Sequence, residues 1–297
     1  DLVGVSTGSA CGRGGRGGGR VENKLLVGNQ PGINTTNAIG LNYSDQIGKT
    51  KLTGSYFFNE QRSINTSSSE RTTFLSDTSS QVTNSINDQT TDNFNHRFSL
   101  RIETQLDSSN SLIITPNLGI QRNDADNSQL SRVANGDSLQ LSSTDNESKS
   151  DRDGLNFNNS LLFRHKFAKR GRTFSANLNT SLSSQNSTGT LLADNHFLLD
   201  TASTASSIDQ RSTGDNFTQN HGLQLNYTEP VSRRGQIQFS VAPSIQLSNA
   251  KKLTYDIDQD TGDELLNNLL SNQAENTIRI LRGGASYRFR TDGYMFN

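Results

Sequence analysis

A single cysteine, Cys11, leaves no internal disulfide framework and no cysteine-based zinc site for this chain. No run of about 18 apolar residues occurs, so no transmembrane helix is encoded. The formal net charge of -1 argues for neither nucleic-acid nor membrane-surface binding. Residues 1–20 have neither the basic start nor the apolar core of a secretory signal, so an exported chain would take its signal from further upstream. Apolar residues are scarce: 30% of the total, with a mean hydropathy of -0.68, a range that borders on disorder in an ordinary soluble protein. No nucleophile–base pair, phosphate-binding loop or dinucleotide fingerprint appears, so neither an enzyme nor a cofactor is expected.

The few apolar residues are placed in strict alternation. In Phe94–Leu106 the residues Phe94, His96, Phe98, Leu100, Ile102, Thr104 and Leu106 fall on one side, and Asn95, Arg97, Ser99, Arg101, Glu103 and Gln105 on the other. That period of two marks a strand with one apolar and one polar face. The polar turn Asp107-Ser108-Ser109-Asn110 follows, and Leu112, Ile114, Pro116, Leu118 and Ile120 carry the pattern back. Each limb is roughly twice the ordinary 5–6 residues, matching the about 9–11 that a tilted membrane-spanning strand needs.

Four more hairpins of the same kind follow the chain. Ile39, Leu41 and Tyr43 turn at Gln46–Lys49 into Leu52, Gly54, Tyr56 and Phe58. Leu155–Phe167 turns at Ala168–Arg172 into Phe174–Leu182, and Phe217–Tyr227 turns at Pro230–Gly235 into Ile237–Leu247. Leu281–Phe289 turns at Arg290–Gly293, and Tyr294–Asn297 begins a tenth strand. The turns recur about every 61 residues, an internal repeat. Between the hairpins, the tracts Asn59–Asp92, Asn123–Gly154, Ser187–Asp215 and Ser248–Asn276 lack apolar periodicity and are expected to be long loops. Short turns alternating with long polar tracts match the periplasmic turns and external loops of outer-membrane barrels.

The expected fold is therefore all-β: an antiparallel up-and-down transmembrane β-barrel segment of about ten long strands. A soluble β-sandwich or adhesin is the alternative, disfavoured because sandwich strands rarely run so long. With the apolar face on lipid, the lumen is expected to carry Arg97, Arg101, Glu103, Asn117, Gln121, Arg164, Lys166, Asn177, Asn179, Gln224, Asn226, Gln238, Arg282 and Arg288. Aromatic residues near the strand ends, such as Tyr43, Tyr56, Phe167 and Tyr227, suit interfacial girdles. Pro116 and Pro243 lack the ladder donor; bulges are expected there, the alternative being that each nitrogen points at an unpaired position.

Other signals are weaker. The run Gly12–Arg20 reads as a flexible linker; it has the arginine–glycine character of single-strand nucleic-acid binders but none of their stacking aromatics. His96, His165 and His221 lie on the outward face of different strands, and with His196 form no expected metal site. Asp256, Asp258 and Asp260 have calcium-loop spacing, but Gly262 comes one place late and Asn267 replaces the closing glutamate. A hairpin tip over Leu253–Leu265, turning at Thr261-Gly262, is expected instead, with a helical turn over Leu265–Leu270. The basic turns at Lys169–Arg172 and Arg233-Arg234 are expected to be solvated.

The stretch Pro31-Gly32-Ile33-Asn34-Thr35-Thr36-Asn37-Ala38-Ile39-Gly40-Leu41-Asn42-Tyr43-Ser44-Asp45 resembles the start of the barrel region in outer-membrane TonB-dependent receptors. The Gly/Arg-rich run before it, Tyr56–Asn59, Asp107–Ser111, Leu112–Pro116 and Tyr255–Asp263 resemble that family too. The resemblance implies an upstream carboxypeptidase-like sandwich and plug, a barrel of about 22 strands, a TonB partner and uptake of an unspecified solute across the outer membrane. In that frame residues 1–32 end the plug region and 33–297 are a partial barrel, lacking the TonB-contacting segment and the later strands. A structural or adhesive barrel with no transport role is the alternative.

Overall fold

The structure, a computed structural model, describes residues 32–76, 79–136, 139–199, 202–291 and 294–296. Cys11 and the Gly/Arg-rich run lie outside them. Among the described residues eleven strands make one sheet: β1 (Ile33–Ile47), β2 (Thr50–Ser76), β3 (Ser79–Gln105), β4 (Asn110–Asn135), β5 (Gln140–Lys166), β6 (Thr173–Leu199), β7 (Ala202–Pro230), β8 (Gly235–Ile257), β9 (Glu264–Leu266), β10 (Asn272–Thr291) and β11 (Tyr294–Phe296). Ten follow one another in chain order, each antiparallel to the next, while the short β9 pairs with β8 alone. This is the up-and-down, all-β architecture that the alternation predicts.

The hairpin turns form where backbone chemistry favours them. Gly48 takes φ +60° in the two-residue link between β1 and β2, a conformation that costs a glycine little. Between β3 and β4 the Asp107 carboxylate accepts the N–H groups of Ser109 (2.7 Å) and Asn110 (2.8 Å) and the Asn110 Nδ2 donor (2.6 Å). These bonds to its charged form hold the Asp107 pKa below the usual carboxylate range.

Strand pairing shows how the sheet is inclined. Leu41, in the middle of the apolar stretch of β1, lies in one cross-strand row with Tyr56, Phe98, Leu118, Phe157, Leu182, Gln219, Leu247 and Thr277. The apolar stretch of β10, Leu281–Phe289, is centred on Ala285, eight residues beyond Thr277. The short turns move by the same amount: Ile47, at the end of β1, shares a row with Gly283, whereas β10 runs on to Thr291. Apolar band and turns thus step together by about one residue per strand. With ~3.3 Å per residue and ~4.8 Å between strands, that slope inclines the strands by about 35° to the normal of the band. Barrel strands tilt by about 35–45°.

Three expectations are corrected. The polar tracts expected as long loops are mostly strand: β2, β3, β5 and β6 each run 27 residues. The β2–β3 ladder continues from Asn65–Gln89 to Phe74–Ser80, and the β4–β5 ladder from Asn127–Ser148 to Val133–Ser142. Cross-strand hydroxyl and amide pairs help to hold these tracts, including Ser69–Ser85 at 2.8 Å, Asn123–Asn93 at 2.7 Å and Thr144–Asn195 at 2.9 Å. No bulge forms at the prolines. Pairing of β3 with β4 runs to Ser99–Asn117 and resumes at Ile102–Ile114, and that of β7 with β8 runs to Gly222–Ser244 and resumes at Leu225–Val241. Neither register shifts, and Pro116–Asn159 and Leu281–Pro243 stay paired on the other edges. Each proline turns its donorless nitrogen toward a gap in one ladder. Over Leu265–Leu270 there is no helix; β9 is followed by a turn in which Asn267 Oδ1 accepts the N–H groups of Leu269 and Leu270.

Candidate functional site

Because side chains alternate across a strand, the pairing register assigns each described strand residue to one of two faces. All the apolar alternating residues fall on one. Arg97, Arg101, Glu103, Asn117, Gln121, Arg164, Lys166, Asn177, Asn179, Gln224, Asn226, Gln238, Arg282 and Arg288 fall together on the other. One row across this polar face reads Ser44, Thr53, Arg101, Thr115, Ser160, Asn179, Gly222, Ser244, Ile280. A hollow of about 400 Å³ crosses it from Thr115 and Asn117 of β4, through Asn158, Asn179 and Gly222, to Ile278 and Ile280 of β10. A second, of about 490 Å³, runs from Asn42 across Ser55 and Arg101 to Asn117. Hollows that span several neighbouring strands on one face mark that face as concave. The buried side chains Ile113, Ala193 and Thr254 also belong to it.

The opposite face is well exposed and apolar in its band: Leu41 is 61% accessible, Phe239 50% and Leu281 76%. Rings cluster there. Tyr56 stacks on Phe98 with centroids 4.6 Å apart, and its hydroxyl meets His96 Nδ1 at 2.9 Å. His165 sits edge-on to Phe167 at 4.4 Å and bonds Asn110 at 2.7 Å, while His221 bonds Thr180. These histidines stand on separate strands, each with a local partner. Among the described residues no group of histidine, cysteine and carboxylate side chains is arranged to hold a metal. At the β8–β9 hairpin, Asp258 accepts the N–H groups of Asp260 and Thr261, which lowers its pKa, and Gly262 takes φ +75°. Asp256 instead accepts from Gln210 and Asn267. These carboxylates thus serve the hairpin, whose link Asp258–Asp263 turns through Gln259–Thr261, one to two residues before the expected Thr261-Gly262.

Charge is sorted between the faces. From β1 to Arg288, the described strands place Lys51, Arg71, Arg97, Arg101, Arg152, Arg164, Lys166, Lys252, Arg282 and Arg288 on the concave face, against Glu103 and Asp256. At the height of the apolar band this face holds seven of those cations and one carboxylate, Glu103, which pairs with Arg101 at 3.0 Å. The convex face, by contrast, carries seventeen carboxylates and seven cations over the same strands. Most stand beyond the apolar band, including Asp88, Asp124, Asp126, Glu147, Asp151 and Asp153. Composition alone hides this sorting behind a net charge near zero. The signal is nonetheless in the sequence, as carboxylates at alternate positions in Asp124/Asp126 and Asp145/Glu147.

At the short-turn rim, Glu229 lies two residues beyond the Phe217–Tyr227 apolar stretch. It accepts from Arg172 Nε (2.7 Å), Arg172 NH2 (2.9 Å), Lys169 Nζ (2.6 Å) and the Tyr227 hydroxyl (2.8 Å). Lys169 and Arg172, expected to be merely solvated, are therefore engaged by a neighbouring strand. Their bonds are the first causes that pull the Glu229 pKa down from 4.5 to about 2. Since the folded value lies below the unfolded one, the network contributes stability fully above about pH 4.5 and loses it as pH falls through about 2. A carboxyl NMR titration should place the Glu229 midpoint near 2, and Arg172→Gln should return it toward 4.5. A midpoint at or above 4.5 in the unmodified chain would refute this assignment.

Fold and faces together define a class: an all-β, antiparallel up-and-down sheet of the barrel type, with one apolar face and one concave polar face. No protein-family model matches the chain, and no curated protein matches it. Among solved structures it is similar to Pseudomonas aeruginosa OpdK with vanillate, at 7% identity over 85% of this chain and 92% of that one. The TM-score is 0.12, a likeness too slight to bear on function.

Proposed function

We propose that this chain forms wall strands of an outer-membrane β-barrel that takes part in solute uptake, with lipid against the apolar face and the solute path along the concave polar face. The observation that carries the reading is the joint eight-residue step of apolar band and short turns across the sheet. A soluble sheet has no reason to keep its apolar stretch at a fixed height above its turns, whereas a bilayer imposes that height on every tilted strand. Ladder pairing of successive strands also meets the demand that backbone groups in lipid be bonded. The resemblance at Pro31–Asp45 supports a TonB-dependent receptor, with a plug and the TonB system as partners and no chemistry performed on the solute.

The test is made on the parent protein, by membrane fractionation followed by heat-modifiable migration in detergent gels. Outer-membrane sedimentation with a heat-dependent band shift is expected; a soluble protein without a shift would discard lipid face and lumen together. Replacing Arg97, Arg101 and Glu103 jointly by glutamine should leave the band shift intact and change solute uptake severalfold. Unchanged uptake would remove these side chains from the path, and an adhesive barrel would then account better for the protein.

A further inference from the structure

We infer that the concave face selects anionic solutes, with its arginines and lysines as the selecting groups; this rests on reading that face as the solute path. At band height seven cations face one carboxylate, and Glu103 is already taken by Arg101. Among the described residues no ion pair joins Arg97, Arg164 or Arg282 to a carboxylate. The cations come from well-separated strands: Arg97 and Arg101 from β3, Arg164 from β5 and Arg282 from β10. They therefore border the hollow near Asn179 on different strands instead of forming a single patch: Arg101 stands in the row of Thr115 one strand away, Arg164 four residues from Ser160 and Arg282 two residues from Ile280. Between them the face offers uncharged donors and acceptors, Asn179 among them, which suit a carboxylate, sulfate or phosphate group as second partners. Lysine and arginine linings are how pores favour anions, and a concave low-dielectric wall strengthens the field of one sign. The carboxylates that balance the sequence stand mostly on the convex side and beyond the band, where water and salt screen them.

The field can be read without transport. With Cys11→Ser in the background, Asn179→Cys places a thiol in the central row, and the full chain in detergent is treated with anionic and cationic methanethiosulfonate reagents. Rates are divided by those for free cysteine, so a shifted thiol pKa cancels from their ratio. The anionic reagent should be favoured by about tenfold or more at low salt. That preference should fade toward unity at ~1 M salt, where the screening length is about 3 Å. Replacing Arg101, Arg164 and Arg282 by glutamine should likewise lower it severalfold. A ratio at or below unity would overturn the inference. So would a thiol unreactive even to a neutral reagent of the same series. The heat-modifiable band shift distinguishes the two failures: a shifted protein with no anion preference loses only the selectivity, while an unshifted one loses the barrel reading.

Discussion

Leu118→Arg should destabilise the membrane-inserted protein by about 2–4 kcal/mol, while Asn117→Arg, one residue away, should cost little. Leu118 lies in the row of Leu41, Phe98 and Phe157, inside the apolar band, so in the proposed bilayer setting a guanidinium there meets hydrocarbon. Asn117 borders both band-height hollows on the concave face, where a longer side chain finds space and water. The pair shares strand, height and introduced charge, so intrinsic propensity and the unfolded state largely cancel. Urea unfolding from lipid vesicles measures the difference. Equal losses for the two variants would mean that the faces are not lipid and water.

The second large effect concerns parity. Inserting one serine after Phe98 should abolish folding into bilayers, and inserting two residues there should be tolerated. One extra residue turns Arg101 and Glu103 toward lipid and Leu100 and Ile102 toward the polar side along the rest of β3. Two extra residues restore each side chain to its face at the expense of a local distortion. Heat-modifiable migration after refolding into vesicles distinguishes the variants. Equal folding of both would show that a bulge absorbs the single residue and that parity is not enforced by the surroundings.

Much of this fold is legible in the sequence because a strand writes its two faces in alternate letters. Phe94 to Ile102 disclose strand, face and approximate length without reference to any partner, and the polar residues that share the concave face with Arg97 and Arg101 can be named in the same way. The continuation of those strands is not legible. Tracts such as Asn65–Ser76 are built largely from serine, threonine and charged residues, several of which favour turns when neighbours are ignored. Their strand state comes from lateral pairing with an equally polar tract, a non-local cause that a single strand's hydropathy does not carry. Concavity is hidden for the same reason, since hollows belong to several strands at once. The prolines mislead in the opposite direction. A bulge is one remedy for a missing donor, yet here the ladder skips two pairs and keeps its register.

In the proposed outer-membrane setting, with the short turns inward, the polar continuation of the sheet has a consequence at the cell surface. From Phe94 to Ser79 the β3 strand rises through fifteen further residues, a reach of about 40 Å once the tilt is allowed for. Antibodies, phages and neighbouring cells approaching such a protein would touch a stiff, carboxylate-studded palisade well before they reached the bilayer. In that setting, changes on its exposed side alter what the cell presents while the inward face, one residue out of step, keeps its chemistry.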